Sequence, residues 1–301
     1  MNLLVTGGGG FLGAWIVKRL SGAGHRIRIL EASANRQLLN DIAGRANAGE
    51  VDWRVGDVVE GSDVNRAASG CDAIVHLAGV LTPACKADPV RGAKINLIGT
   101  LNVFEAARAH GVERIVYTSS AAAHGPKNDP DPRPISHYGA FKVACEGCAR
   151  AYWQDHRLGS VGFRPYVVYG PGRETGLTAG PSLACRAAAR GEAYTIPYSG
   201  SSGLVYVDDV AAAYEAALTR EPDGAHVFDL AGEVASNERV VEEIRRVVPQ
   251  ARIGVAGPIA EFVPHAPDAS LDKVLPGLPR TSLRDGVART IAFYRRAELE
   301  A

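Results

Sequence analysis

The sequence has no excess of either charge: 33 lysines and arginines stand against 33 aspartates and glutamates. Without a basic or acidic field, neither nucleic acid nor an acidic membrane surface is an expected partner. No apolar run approaches the roughly 20 residues of a membrane span. The first residues lack the basic segment, apolar stretch and cleavage site of a signal peptide, and none is expected. There is no disulfide framework either. The five cysteines are an odd number at scattered positions, which suits reduced thiols and a cytoplasmic location. Cys145 and Cys148 form a single C-x-x-C with no second pair and no histidine cluster nearby. They read as two small residues on one helix, and no metal is expected. The chain has no clean linker, repeat or low-complexity tract.

What it does have is glycine where glycine is costly. The stretch NLLVTGGGGFLGAWIVKRL runs from Asn2 to Leu20. Leu3 to Val5 is a short apolar run that reads as a buried strand. Phe11, Leu12, Trp15, Ile16, Val17 and Leu20 recur at helical spacing. Strand, glycines and helix form the context that a dinucleotide fingerprint requires. Gly7, Gly10 and Gly13 fit best, for a tight turn, close approach to a pyrophosphate, and close packing of helix on strand. Phosphates would sit at the helix N-terminus, where free N–H groups favour anions. The next strand, Arg26 to Leu30, ends at Glu31. An acid there can bind both ribose hydroxyls of NAD and repels the 2′-phosphate of NADP. Arg36 follows and could offset that repulsion, so NAD is favoured without being fixed.

Strand and helix patterns then alternate: a strand ending near Asp57, an apolar strand from Ala73 to Leu77, and an amphipathic helix stopped by Gly111. A strand entering TSS, a long helix HYGAFKVACEGCARAYWQDH, and a strand SVGFRPYVVYGPG breaking into a Pro/Gly loop follow. This argues for a doubly wound parallel α/β sheet covered on both faces, a Rossmann fold with a smaller, interleaved C-terminal substrate lobe. Residues 1–165 are expected to form the NAD-binding domain, with 204–222 returning to it. Residues 166–203 and 223–301 are expected to form the substrate lobe.

Ligands bind at the carboxyl ends of such strands. Ser119 and Ser120 fall just past one of them. Ala78 and Gly79 fall where a nicotinamide ribose could press against backbone. Tyr138 and Lys142 stand four apart on one helix face. A tyrosine works as a general acid/base near neutral pH only when its proton is loosened, and a neighbouring lysine favours the phenolate.

Together these residues resemble the extended short-chain dehydrogenase/reductase family, along nearly the whole chain. TGGGGFLG resembles its cofactor turn, which brings in Phe11 and Leu12. GDV at Gly56–Val58 resembles its adenine contact, with Asp57 and Val58. HLAG brings in Leu77, and INLIGTLNV resembles the helix carrying a cofactor-side asparagine, here Asn96. YTSSAAAHG resembles the catalytic serine segment, with Ser120 the match. YGAFK resembles the Tyr/Lys pair, RPYVVYGPGR the signature that follows, and VYVDDVA a later strand. The resemblance implies NAD as cofactor, Tyr138 and Lys142 in the acid/base role, Lys142 also holding the nicotinamide ribose, and a homodimer packed through the Asn96 and Tyr138 helices.

The departures bear on substrate. Family members acting on nucleotide-diphosphate sugars commonly have asparagine where this chain has Val167 and arginine where it has Ser202. A second arginine has no clear counterpart in FVPHAPDASLDK. A buried diphosphate needs such charge pairing. The expected reaction is therefore NAD-dependent hydride transfer from a secondary alcohol of a small sugar, sugar acid or hydroxy acid. Ser120, His124 and Arg173 are the candidate substrate-binding groups. A nucleotide-sugar epimerase or dehydratase is the alternative within the family. A non-catalytic NAD-binding regulator is the alternative outside it, and the joint presence of Ser120, Tyr138 and Lys142 argues against that.

Overall fold

A computed structural model describes residues 1–125, 132–220, 223–260 and 269–299. Among these residues twelve strands run in chain order: β1 (Asn2–Thr6), β2 (Arg26–Glu31), β3 (Asp52–Val55), β4 (Ala73–His76), β5 (Arg114–Thr118), β6 (Gly159–Pro165), β7 (Val167–Tyr169), β8 (Tyr194–Ile196), β9 (Ser201–Tyr206), β10 (Ala225–Leu230), β11 (Glu233–Ser236) and β12 (Ile253–Val255). Seven of them form one sheet in the order β10-β6-β5-β4-β1-β2-β3. Every pairing in it is parallel.

Period-two alternation assigns the two faces. In β1, Leu3 and Val5 join one apolar cluster and Leu4 the other. The helices Phe11–Gly22 and Val207–Arg220 pack together on the first face. The helices Gly61–Ala68, Gly99–His110 and His137–His156 pack on the second. Both faces are dry, as the continuous apolar runs of the strands require.

Strand order reverses between β1 and β4, where successive crossovers leave on opposite sides. Such a switch point opens a crevice at the carboxyl ends of the strands. Gly7 follows β1 and Leu77 follows β4, so the glycine turn and HLAG face each other across it. The helix read from INLIGTLNV is preceded by a π-helical turn, Lys94–Ile98, that buries Asn96, and it ends at Gly111 in the left-handed conformation.

The C-terminal half crosses between layers more often than the expected division has it. The apolar stretch read as one strand breaks at Pro165–Tyr166. β6 stays in the large sheet, while β7 joins β9 and β11 in a small one. Proline has no N–H to donate to a ladder, which suits a strand end. β9 lies at the start of the returning span, yet it belongs to the small sheet. β10, from the span assigned to the substrate lobe, pairs with β6 as the edge strand of the large sheet.

Candidate active site

Two clefts meet along the carboxyl edge of the sheet. One, of about 540 Å³, is lined by Glu31, Asp57, Val58 and Ala78; the other, of about 560 Å³, by Ser120, Tyr138, Lys142 and Arg173. Gly7, Gly10, Leu77 and Gly79 line both, so they form one groove with the glycine turn at its middle.

The turn is built by steric exclusion. Gly7 has φ +73°, and a Cβ there would stand 2.7 Å from the Ala78 nitrogen. A Cβ on Gly13 would collide with the Gly7 carbonyl. Gly10 differs: a Cβ there would meet only the Gly7 oxygen, at the ordinary distance of 3.4 Å. The protein itself does not need Gly10 bare. The space in front of it belongs to the groove, at the N-terminus of the helix Phe11–Gly22. A pyrophosphate fits such a cradle. At the far end the Glu31 carboxylate accepts from the Gly9 and Ala32 N–H groups, both at 3.1 Å. Arg36 does not pair with it among the described residues; its guanidinium lies 5.0 Å from the Trp53 ring centroid. NAD fits this groove; Gly7, Gly10, Phe11, Leu12 and Gly13 could hold its phosphates and Glu31, Asp57 and Val58 its adenosine.

Lys142 is buried and donates from Nζ to the Thr118 carbonyl at 2.7 Å. The same ammonium lies 5.6 Å from the Tyr138 ring centroid. The strand end thus fixes the lysine and the lysine charges the space beside the phenol. Ser120 starts the short 3-10 turn Ala121–Ala123, accepting from the Ala122 N–H at 3.1 Å, and it lines the cleft. Its neighbour Ser119 points the other way and donates to Glu146. Glu146 in turn receives Arg164 through Nε at 2.7 Å and Nη2 at 2.6 Å. Glu146 sits one turn beyond Lys142, so this buried pair ties the lysine helix to the serine loop.

A second buried chain lies under the groove. The Thr100 hydroxyl donates to the Asn96 carbonyl at 2.6 Å, so it accepts from His76 Nε2 at 3.0 Å. His76 Nδ1 is then the acceptor for Thr6 Oγ1 at 2.7 Å. Burial, with Lys142 nearby, lowers the His76 pKa to about 3. The Asn96 side chain is spent on the loop after β4: its Oδ1 accepts from Val80 N–H and its Nδ2 donates to the Val80 carbonyl.

Among the substrate-side candidates, Ser120 and Arg173 line the cleft, as do Val167 and Ser202. His124 lies outside that lining. Its Nε2 is 2.7 Å from Asp229, beside Arg164, in the polar network below. Most of the segment FVPHAPDASLDK lies outside the described residues. Cys145 and Cys148 are free, and Cys145 donates its S–H to the Asn96 carbonyl at 3.3 Å. Among the described residues no group of three or more His, Cys, Asp or Glu could hold a metal ion. No described helix is long and apolar enough to cross a membrane. Residue spacing did not reveal Thr118, Glu146, Arg164 or His76. For Glu146, the available signal was an acid one turn from Lys142 on an otherwise buried face. For His76, it was a lone polar residue inside AIVH.

The chain is similar to known proteins along most of its length. Residues 3–231 match the model of the NAD dependent epimerase/dehydratase family. A UDP-glucose 4-epimerase of Mycolicibacterium smegmatis is 29% identical over 98% of this chain and 99% of its own. A 2-alkyl-3-oxoalkanoate reductase of Stenotrophomonas maltophilia is 30% identical over 86% of this chain and 77% of its own. The crystal structure of Thermus thermophilus UDP-glucose 4-epimerase in complex with NAD superposes with a TM-score of 0.82 at 27% identity, covering 99% of this chain and 100% of that one. The chain belongs to the NAD-dependent epimerase/dehydratase family and is an NAD-dependent enzyme of the extended short-chain dehydrogenase/reductase type.

Proposed function

We propose that the enzyme interconverts a secondary alcohol and its ketone on a small substrate that carries no nucleotide. The observation that carries this reading is the meeting of Ser120, Tyr138 and Lys142 in one cleft with the glycine turn. NAD, when bound, supplies the hydride acceptor. Tyr138, as the phenolate, takes the proton of the substrate hydroxyl while the carbinol carbon gives up its hydride, and the product is the ketone. Ser120 donates a hydrogen bond to the same substrate oxygen. Lys142, held by the Thr118 carbonyl, places its ammonium beside the Tyr138 ring and would hold the nicotinamide ribose. Proton loss from Tyr138 to solvent completes the cycle. His124 is left out of the substrate-binding set, since Asp229 and Arg164 occupy it.

The second reading is a nucleotide-sugar epimerase, in which the hydride returns to the substrate. It is favoured by the Mycolicibacterium relative, which matches from end to end. Against it stand Val167 and Ser202 at the cleft, neutral where a diphosphate needs donors with charge. The experiment is thermal unfolding with NAD present, plus UDP or UDP-glucose. Neither is expected to raise the midpoint. A rise of several degrees with UDP-glucose but not with free glucose or glucuronate sinks the first reading and leaves the epimerase. A homodimer through the Asn96 and Tyr138 helices belongs to the same proposal, supported by exposed Val90 and Ile98 beside them. So does a cytoplasmic location, supported by five free cysteines.

A further inference from the structure

The cleft holds a cation that no carboxylate of the described residues neutralises. Arg173 follows β7 in a loop that lines the same cleft as Tyr138. Its Nε is buried without a hydrogen-bond partner. Its Nη2 donates only to the Thr178 hydroxyl, at 3.3 Å, and the guanidinium lies 5.4 Å from the Phe11 ring centroid. The adjacent acid, Glu174, is turned away to Arg186 at 2.6 Å. Burial lowers the Arg173 pKa, opposed by the Tyr138 and Tyr198 phenols. A guanidinium taken from water without an anion is destabilising, and a carboxylate that meets it two-pronged relieves that.

The rest of the lining limits what the anion can be attached to. Among the described residues Lys142 is the other charged group lining the cleft, and it is held by the Thr118 carbonyl beside the Tyr138 ring. Among the described residues no acid lines the cleft. Leu81, Pro83, Ala122, Val167 and Leu177 form an apolar part of its wall, and Thr82, Tyr166, Thr175 and Ser202 a neutral polar part. Among the described residues one free cation in the cleft matches one negative charge. A diphosphate is overcharged for this cleft, and its apolar part suits a hydrocarbon substituent.

We propose that the substrate is a hydroxy or oxo monocarboxylic acid with a hydrocarbon substituent, whose carboxylate is held by Arg173. The assignment rests on the oxidoreductase reading above and narrows its substrate. Arg173 could instead meet the cofactor pyrophosphate. Its guanidinium lies beside Phe11 on the Tyr138 half of the groove, and the NAD-affinity arm of the test below separates the two partners.

The test uses the NAD-loaded protein with 3-hydroxybutyrate, 3-hydroxyoctanoate and their amides, measured by thermal shift and isothermal calorimetry. The octanoate acid is expected to protect more than its amide and more than the butyrate acid. Arg173→Met is expected to weaken the acid by about 10- to 100-fold and to erase the acid–amide difference. Arg173→Lys restores part of it. NAD affinity should stay within about twofold in both variants. Equal protection by acid and amide, or no protection by either acid, overturns the proposal. So does a tenfold loss of NAD affinity in Arg173→Met, which gives the guanidinium to the cofactor. NADH formation from an uncharged secondary alcohol, with no preference for acids, overturns the carboxylate assignment and keeps the oxidoreductase. Epimerisation of a UDP-sugar without net NADH overturns both.

Discussion

His76 donates its Nε2 hydrogen to Thr100, 3.0 Å away, and Thr100 passes its own to the Asn96 carbonyl. The chain has one direction. It fixes the neutral tautomer, because a second ring proton would face Thr6 Oγ1, whose hydrogen already points at Nδ1.

Acid should therefore unfold the protein partly through His76. Its folded pKa, lowered by burial and then by Lys142, is about 3, against 6.5 for the free side chain. The unfolded chain binds the proton first as pH falls. The stability of the neutral buried ring is complete above 6.5 and drains toward 3, at a slope of up to about 1.4 kcal/mol per pH unit. His76→Gln should be less stable near neutrality, yet lose less on acidification. Parallel pH–stability curves for the two proteins would refute this.

Gly10 and Gly13 should separate binding from folding. Gly10→Ala places its Cβ 3.4 Å from the nearest protein atom, so the melting point should barely move. NAD affinity should fall about tenfold or more, because the methyl enters the groove. Gly13→Ala should cost about 1–3 kcal/mol of stability by overpacking. Calorimetry and thermal melts on both variants check it; the idea fails if Gly10→Ala binds NAD normally.

Tyr138→Phe removes a proton carrier and no binding group. Turnover should drop roughly 100-fold or more with NAD affinity nearly unchanged. Lys142→Ala should harm both, since its ammonium serves the phenol and the ribose side of the groove. Near-normal turnover in Tyr138→Phe on an identified substrate would take the acid/base role away from it.

Glu31 should set the cofactor. Its carboxylate stands at the adenosine end of the groove, while Arg36 is drawn to Trp53. NAD should bind more tightly than NADP, and Glu31→Ala should narrow the gap by about tenfold. Titration of both cofactors into both proteins decides it. Equal affinities in the wild type would mean that Arg36 leaves Trp53 for the 2′-phosphate.

The parts legible in the sequence are those whose cause is local. Leu3–Val5 and Ala73–His76 are apolar runs, Gly7 and Gly13 mark a turn no other residue can make, and Tyr138 and Lys142 share a face through helix geometry alone. The rest depends on partners distant in the chain. The apolar residues on either side of Pro165–Tyr166 look alike, so nothing local says that the chain changes sheets there. His124 reads as a free polar group until Asp229, 105 residues later, is folded against it. Glu146 and Arg164 are 18 residues apart on a helix and a strand, and neither spacing nor composition pairs them.

The edge strand β10 has a consequence for how the enzyme is made. Its register sets Phe228 beside Phe163 and Asp229 beside Arg164, so the last wall of the sheet and the anchor of His124 come from the same late segment. On the ribosome, β6 leaves the exit tunnel long before β10. At about 5–20 residues per second its open edge waits for seconds, with Val161 and Phe163 uncovered and unpaired backbone ready to join any other strand. The nascent chain is thus adhesive until Leu230 has cleared the tunnel and β10 has closed that edge.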